Sequence, residues 1–138
     1  MTILVRDDGF HDEDWEAQIG PLETDAPHGA NAPRAIDVPG DAAPEDLPAL
    51  DQVVMIRVTF PSFADGRGFT LARRLRRMGF AGRLRAAGHV LADQYTMARR
   101  SGFDEVEIDA AMAVRQPEAD WQARANWRAG DYQSRLRG

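Results

Sequence analysis

A chain of 138 residues, 43% of them hydrophobic, is long enough to bury one core and too short for an eight-stranded α/β barrel of about 250 residues. The absence of cysteine excludes disulfides, thiolate metal sites, cysteine-ligated iron–sulfur clusters and cysteine nucleophiles, and because all 17 basic residues are arginine there is no Schiff-base or P-loop lysine. The net charge of -5 hides a division: residues 1–51 hold 13 acids against Arg6 and Arg34, whereas residues 52–138 hold 15 arginines against 9 acids. That asymmetry suits pairing within the chain or a basic face that meets an anionic partner, and nucleic acid is not the leading partner for so acidic a chain.

In chain order, "TILVRDDGF" reads as a short strand stopped by "DDG", and "HDEDWEAQIG" as a short helix with acids in its first turn ahead of Trp15 and Ile19. Residues 21–35 hold three prolines and read as an exposed linker. "AIDVP" is a second short strand, and Leu47 and Leu50 pin a single helical turn in the segment after it. "VVMIRVTF", residues 53–60, has the near-continuous β-branched character of a strand buried on both faces. Leu71, Ala72, Leu75 and Met78 then recur at helical spacing, with Arg73, Arg74, Arg76 and Arg77 on the other faces and Gly79 as a left-handed stop.

The unit repeats with a period of 23 residues. "RLRAAG" is a strand and "HVLADQYTMARRSG" a helix with Leu91, Gln94 or Tyr95, and Ala98 inward, so that "RRMGF" aligns with "RRSGF", Gly79 with Gly102 and Phe80 with Phe103. "EVEI" is a third strand and "AAMAVRQ" a short helix; Pro117 opens a last helix, "PEADWQARANWRAG", with Trp121 and Ala125 inward, before a docked and frayed tail. The expected fold is α/β: one domain over residues 1–138, with an irregular acidic segment at 1–51, a small parallel sheet of β-loop-α units at 52–116, as an open sheet or a partial barrel, and a helix and tail at 117–138.

Ligand sites of parallel sheets lie at the carboxyl ends of the strands. "FADGRGF" stands at such an end, as do Gly88 and His89 after the second strand of the repeat and Asp109 after the third. Asp65, Arg67, His89, Asp93 and Asp109 could thus face one cleft, where Arg67 and the N–H groups from Gly68 to Thr70 would clamp a sulfur or phosphorus oxyanion or a carboxylate. The competing reading makes Asp65 a turn or cap, Gly66 and Gly68 sites of unusual backbone angles, and Arg67 the partner of Asp65. Asp93 and Gln94 can orient Arg85 or the neighbouring loop as readily as they can meet a substrate. His11, His28 and His89 lack metal-ligand spacing, so no metal is expected, and no nucleophile–base pair identifies a catalytic residue. Trp15, Trp121 and Trp127 read as core or interface anchors.

The string "FADGRGFTLARRLRRMGFAGRLRAAGHVLADQYTMARRSGFDEVEI" resembles a family of uncharacterised bacterial proteins labelled as oxidoreductases of sulfite reduction, encoded near assimilatory sulfite reductase. The family pattern falls on Phe63, Asp65, Gly66, Arg67 and Gly68, on Leu71, Ala72, Leu75 and Gly79, on Leu84, Arg85, Ala86 and Gly88, on Asp93 and Gln94, and on Gly102, Phe103 and Asp104. Two departures are His89, where the family carries an acid, and Ser101, where it often carries a cysteine, so no thiol mechanism is expected at 101. The resemblance implies a role in sulfite reduction for cysteine synthesis, yet no flavin, nicotinamide, siroheme or iron–sulfur motif is identifiable, and redox chemistry would need a borrowed cofactor. Three functions are therefore expected in turn: an accessory protein that uses Arg73, Arg74, Arg76 and Arg77 or the Arg67 rim to bind sulfite reductase, its electron donor or a small anionic intermediate; a small enzyme acting on a sulfur oxyanion or sulfonucleotide in a cleft of Asp65, Arg67, Arg85 and Asp93; or a self-associating module, as a homodimer. No apolar run is long enough to span a membrane, and the opening "MTILVRDDG" has no signal-peptide pattern, so a cytoplasmic location is expected.

Overall fold

Val53–Phe60 forms the longest strand of a seven-stranded sheet in a computed structural model that describes residues 2–15, 19–21, 34–47 and 50–128. The strands are β1 (Thr2–Arg6), β2 (Gly9–Asp12), β3 (Ile19–Pro21), β4 (Arg34–Pro39), β5 (Val53–Phe60), β6 (Arg83–Gly88) and β7 (Glu105–Asp109), in the order β2-β1-β7-β6-β5-β4-β3. Pairing is parallel from β3 through β7 and antiparallel where β1 joins β7 and β2. The helices are α1 (Arg67–Arg77), α2 (Tyr95–Ser101), α3 (Ala110–Arg115) and α4 (Glu118–Gln122), with short 3₁₀ turns at Pro44–Asp46, Leu50–Gln52 and Ala92–Gln94. The expected α/β sheet of β-loop-α units is present, and it is open.

The 23-residue repeat is a repeat of hydrogen bonds. Phe80 N–H donates to the Leu75 carbonyl and Gly79 N–H to that of Arg76, while Phe103 and Gly102 make the same bonds to Ala98 and Arg99. Gly79 and Gly102 have φ of 98° and 113°, and each helix ends in the Schellman pattern. The arginine three residues before each glycine turns back onto the phenylalanine carbonyl, Arg76 to Phe80 and Arg99 to Phe103.

The amino-terminal segment differs from expectation. The acids at 12–14 do not start a helix, because Gly9–Asp12 pairs with β1 in a tight hairpin, register Arg6 to Gly9, and residues 13–15 are irregular. "DDG" is the turn of that hairpin, with Gly9 at φ 122°, a backbone state that suits glycine. Asp7 in the turn accepts from the Tyr95 hydroxyl at 2.6 Å and from Arg99 at 3.1 Å, tying the hairpin to α2. Among the described residues of 1–51 there are four strands: β1 and β4 are the short strands expected at "TILVR" and "AIDVP", whereas β2 and β3 are too short for their alternation to stand out. Of the linker expected at 21–35, Pro21 ends β3 and β4 begins at Arg34, while residues 22–33 lie outside the described residues, as does the tail from 129. The last helix spans only Glu118–Gln122, where the Trp121 indole N–H donates to the Gln116 carbonyl and sets the packing.

Alternation divides the sheet into two unlike faces. Ile56, Val58, Phe60, Leu84, Ala86 and Val106 pack under α1 and α2 against Phe69, Leu75, Tyr95, Ala98 and Phe103. The opposite face of β5, β6 and β7 carries Arg57, Arg83, Arg85, Glu105 and Glu107 beside buried Met55 and Ala87. Arg85 is fully buried and Glu105 is 1% exposed. Arg85 Nε donates to Glu105 at 2.7 Å, Nη1 to Glu107 and Glu13 at 2.8 Å each, and Nη2 to Glu13 at 2.7 Å. Glu105 also accepts from Arg83 at 2.8 Å and from Arg6 at 3.0 Å, and Arg57 joins Asp37 of β4 at 2.7 Å to Glu107 at 3.2 Å.

Glu13, Asp14 and Trp15, at the start of the link between β2 and β3, lie over this face. Those strands are the two edges of the sheet, and in a flat sheet they would stand roughly 29 Å apart, at about 4.8 Å per strand. Six residues link them, and such a connection reaches at most roughly 25 Å. The sheet therefore curls toward the charged face, across which Glu13 bonds Arg85, Asp14 bonds Arg83 and Arg6, and the Trp15 ring lies 5.7 Å from the Arg83 guanidinium. Burial opposes the charge on Arg85, but bonds to Glu13, Glu107 and Glu105 outweigh it and raise its pKa above the ordinary arginine value. The bond from Arg85 lowers the pKa of Glu13, and bonds from Arg6 and Arg83 hold Asp14 at about 2.

Removing one member of a buried ion pair strands the other. Glu105→Ala, which leaves Arg6, Arg83 and Arg85 without their shared acceptor, is expected to lower the unfolding free energy by about 3–5 kcal/mol in urea titration. Asp14 titrates near 3.9 when unfolded and at about 2 when folded, so its stabilisation is complete above pH about 4 and is lost as pH falls through about 2. Asp14→Asn is expected to flatten that part of an acid-unfolding curve.

Candidate functional site

The carboxyl ends of β4 to β7 form one rim, built by close backbone contacts. Gly40 N–H donates to the Thr59 carbonyl at 3.0 Å and His89 N–H to the Phe60 carbonyl at 3.1 Å. A Cβ on Gly68 would stand 2.5 Å from the Phe60 ring, so the first turn of α1 lies directly on that ring. Gly88, at φ 96°, meets the Phe60 carbonyl in the same way. At Gly66, by contrast, φ is -89° and the nearest atom to an added Cβ is 3.9 Å away. Of the two glycines in "DGRG", only Gly68 is required by its surroundings.

Asp65 and Arg67 hold each other. Arg67 Nε and Nη2 donate to the two carboxylate oxygens at 2.9 and 2.6 Å, and Arg67 N–H adds a bond at 3.1 Å. This grip keeps the Asp65 carboxyl at about 2, and the Arg67 side chain is 63% exposed with Asp41 3.9 Å away. Asp93 points to solvent and accepts from Arg124 at 3.0 Å. Gln94 accepts from Leu91 N–H at 2.8 Å and donates to the Phe63 carbonyl at 2.9 Å, tying the turn after β6 to the loop after β5. The cleft expected from Asp65, Arg67, Arg85 and Asp93 is not assembled, because Arg85 lies buried among carboxylates on the far face of β6 and Asp93 turns to Arg124, just past α4.

A different set of residues encloses space. A cavity of about 430 Å³ opens on the rim, lined by Thr2, Phe63, Gly88, His89, Glu107, Ile108, Asp109, Ala111, Met112 and Arg115. Gly88, His89 and Asp109 are expected rim residues; Thr2 enters because β1 runs antiparallel beside β7 and sets Thr2 opposite Asp109. Asp109 caps α3 by accepting from Met112 N–H at 2.8 Å, and His89 stands edge-on to the Phe63 ring at 5.2 Å. Phe63 stands in the loop after β5 and Arg115 at the end of α3, and nothing in their spacing announces a shared cavity.

The sequence profile for a bacterial protein of unknown function, DUF934, matches residues 35–138, from β4 onward. The chain belongs to this family. No curated protein and no solved structure matches it. The DUF934 span includes the rim, the repeat and the arginine-rich helix α1. On α1 the four arginines divide. Arg76 turns inward: Nε and Nη2 donate to the Gly102 carbonyl at 3.0 and 2.8 Å, Nη1 donates to the carbonyls of Phe80 and Gly82 at 2.9 and 2.8 Å, and Nη2 reaches Asp104 at 3.0 Å. It leaves the set of partner-binding candidates. Arg74 makes one exposed bond, to Glu45 at 3.3 Å, and Arg73 and Arg77 are exposed with no carboxylate partner among the described residues. A second hollow, about 510 Å³, lies beyond the amino ends of the strands, where Arg76, Arg83 and Arg99 already pair with Asp104, Asp14 and Asp7. Among the described residues no group of three potential ligands could hold a metal ion, and no helix is long and apolar enough to cross a membrane.

Overpacking against Phe60 is expected to make Gly68→Ala cost about 1–3 kcal/mol, whereas Gly66→Ala stays within about 0.5 kcal/mol of the parent. Arg67→Ala leaves the urea midpoint unchanged, and Arg76→Gln, which strands three carbonyls, costs about 1–3 kcal/mol. Urea unfolding of the four variants measures all of these.

Proposed function

We propose that this protein is an accessory of assimilatory sulfite reduction that docks through the outer face of α1 onto an acidic patch of sulfite reductase or its electron donor. The observation that carries the reading is the division of the arginines on α1: Arg76 is consumed in the fold, while Arg73, Arg74 and Arg77 project from one helix of an otherwise acidic chain. Exposed guanidinium groups attract a carboxylate surface over about a Debye length and offer forked donors on contact. The sulfur assignment rests on the resemblance carried by residues 60–108. An accessory role is favoured over an enzyme acting on a sulfur oxyanion because Asp65 and Arg67 neutralise each other and Arg85 is sealed under Glu13. Electron transfer, in this reading, belongs to the cofactors of the partner.

The triple variant Arg73→Gln, Arg74→Gln, Arg77→Gln is expected to fold normally and to bind purified sulfite reductase or its donor roughly tenfold more weakly at low ionic strength, a difference that shrinks as salt is added. A deletion strain is expected to fail on sulfate and sulfite, to grow on sulfide, and to be rescued by the parent chain but not by the triple variant. Unchanged binding by the variant overturns the docking face. Normal growth of the deletion strain on sulfite overturns the sulfur role.

A further inference from the structure

The rim cavity combines two opposite charges with an apolar wall, a set that the docking face does not use. Asp109, where β7 ends and α3 begins, spends one carboxylate oxygen on Met112 N–H, and the other has no hydrogen-bond partner among the described residues. Arg115, the last residue of α3, is exposed and has no carboxylate partner among them. Six residues of helical rise, about 9 Å, separate the two backbones, and the two side chains line the same hollow without bonding each other. Glu107 adds little charge, since Arg85 at 2.8 Å and Arg57 at 3.2 Å already hold it. The remaining wall is Phe63, 40% exposed, with half-buried Met112. A volume of about 430 Å³ lies within the range of small-ligand sites, about 300–1,000 Å³.

We propose that this cavity binds a small zwitterion, a free amino acid or short peptide with an apolar side chain, whose ammonium meets Asp109, whose carboxylate meets Arg115 and whose side chain lies on Phe63 and Met112. A simple anion would satisfy Arg115 while facing Asp109, and a simple cation would do the reverse; only a ligand with both charges compensates both residues. The Thr2 hydroxyl and the His89 imidazole, which line the same hollow, add hydrogen-bonding groups around the polar end.

Calorimetry with the full chain tests this using L-leucine, the dipeptide leucyl-glycine, isocaproate (leucine without its ammonium), isoamylamine (leucine without its carboxylate) and sulfite. Saturable binding of leucine or leucyl-glycine is expected, with isocaproate, isoamylamine and sulfite at least roughly tenfold weaker; the tighter of the two zwitterions tells a free amino acid from a peptide. Asp109→Asn, which keeps the cap on Met112, and Arg115→Gln should each weaken that binding at least roughly tenfold, with unchanged thermal midpoints and unchanged binding of the α1 face to its acidic partner. Backbone amide shifts on titration should centre on Phe63, His89 and Met112. Absence of binding by both zwitterions at millimolar concentration, equal binding of isocaproate, or binding that survives both substitutions overturns the proposal and leaves the docking face untouched.

Discussion

Arg85 and Glu105 form an ion pair with no access to water, and the rest of the molecule is arranged to make that pair tolerable. Two charges removed from solvent cost several kcal/mol each unless every donor and lone pair is met. Here Arg85 meets Glu105, Glu107 and Glu13, while Glu105 collects Arg83 and Arg6 as well. Those partners come from β1, β6, β7 and the link between β2 and β3, so satisfying one guanidinium fixes strand order, hairpin docking and the curl of the sheet together. An apolar face would have needed a second layer of helices. Here Glu13 and Asp14, just after β2, bring matching acids to the arginines of this face.

The charge division along the chain acquires a physical meaning from this arrangement. Acids of the amino-terminal part, Glu13, Asp14 and Asp37, meet arginines of the later part, Arg85, Arg83 and Arg57, across the curled face. Part of the asymmetry is thus intramolecular complementarity. Of the arginines this pairing does not absorb, Arg73 and Arg77 face solvent on the outer surface of α1 and Arg115 is exposed at the end of α3. The rim is built differently, from backbone packed on the Phe60 ring, and Gln94 braces its loops. Loops braced in this way, together with α3, hold Asp109, Arg115, Phe63 and His89 around one cavity.

The part of the fold most legible in the sequence was residues 53–109, because a β-branched run, helical spacing and glycine stops are local signals that tertiary packing reinforces. The hairpin was not read, since acids at 12–14 look like the first turn of a helix until "DDG" is taken as a turn. The last helix is shorter than the shared helical face of Trp121 and Ala125 predicts, because the chain leaves the helix after Gln122. Of the site, Gly88, His89 and Asp109 were legible as strand-end residues. Arg115, Thr2 and the fate of Arg85 were not, because each depends on which strand lies alongside which.

By itself the sequence determined the α/β class, the repeated helix stops, the lack of thiol and lysine chemistry, and the supply of arginines to one half of the chain. These follow from composition and from interactions within about five residues. Only the tertiary structure decided that Arg85 is interior, that Arg76 is a strut while Arg73 and Arg77 are exposed, and that "DGRG" closes on itself rather than opening a cleft. The reason is that an arginine side chain reaches far enough to find partners on any neighbouring strand, and only the order and curl of the strands select which carboxylate it meets.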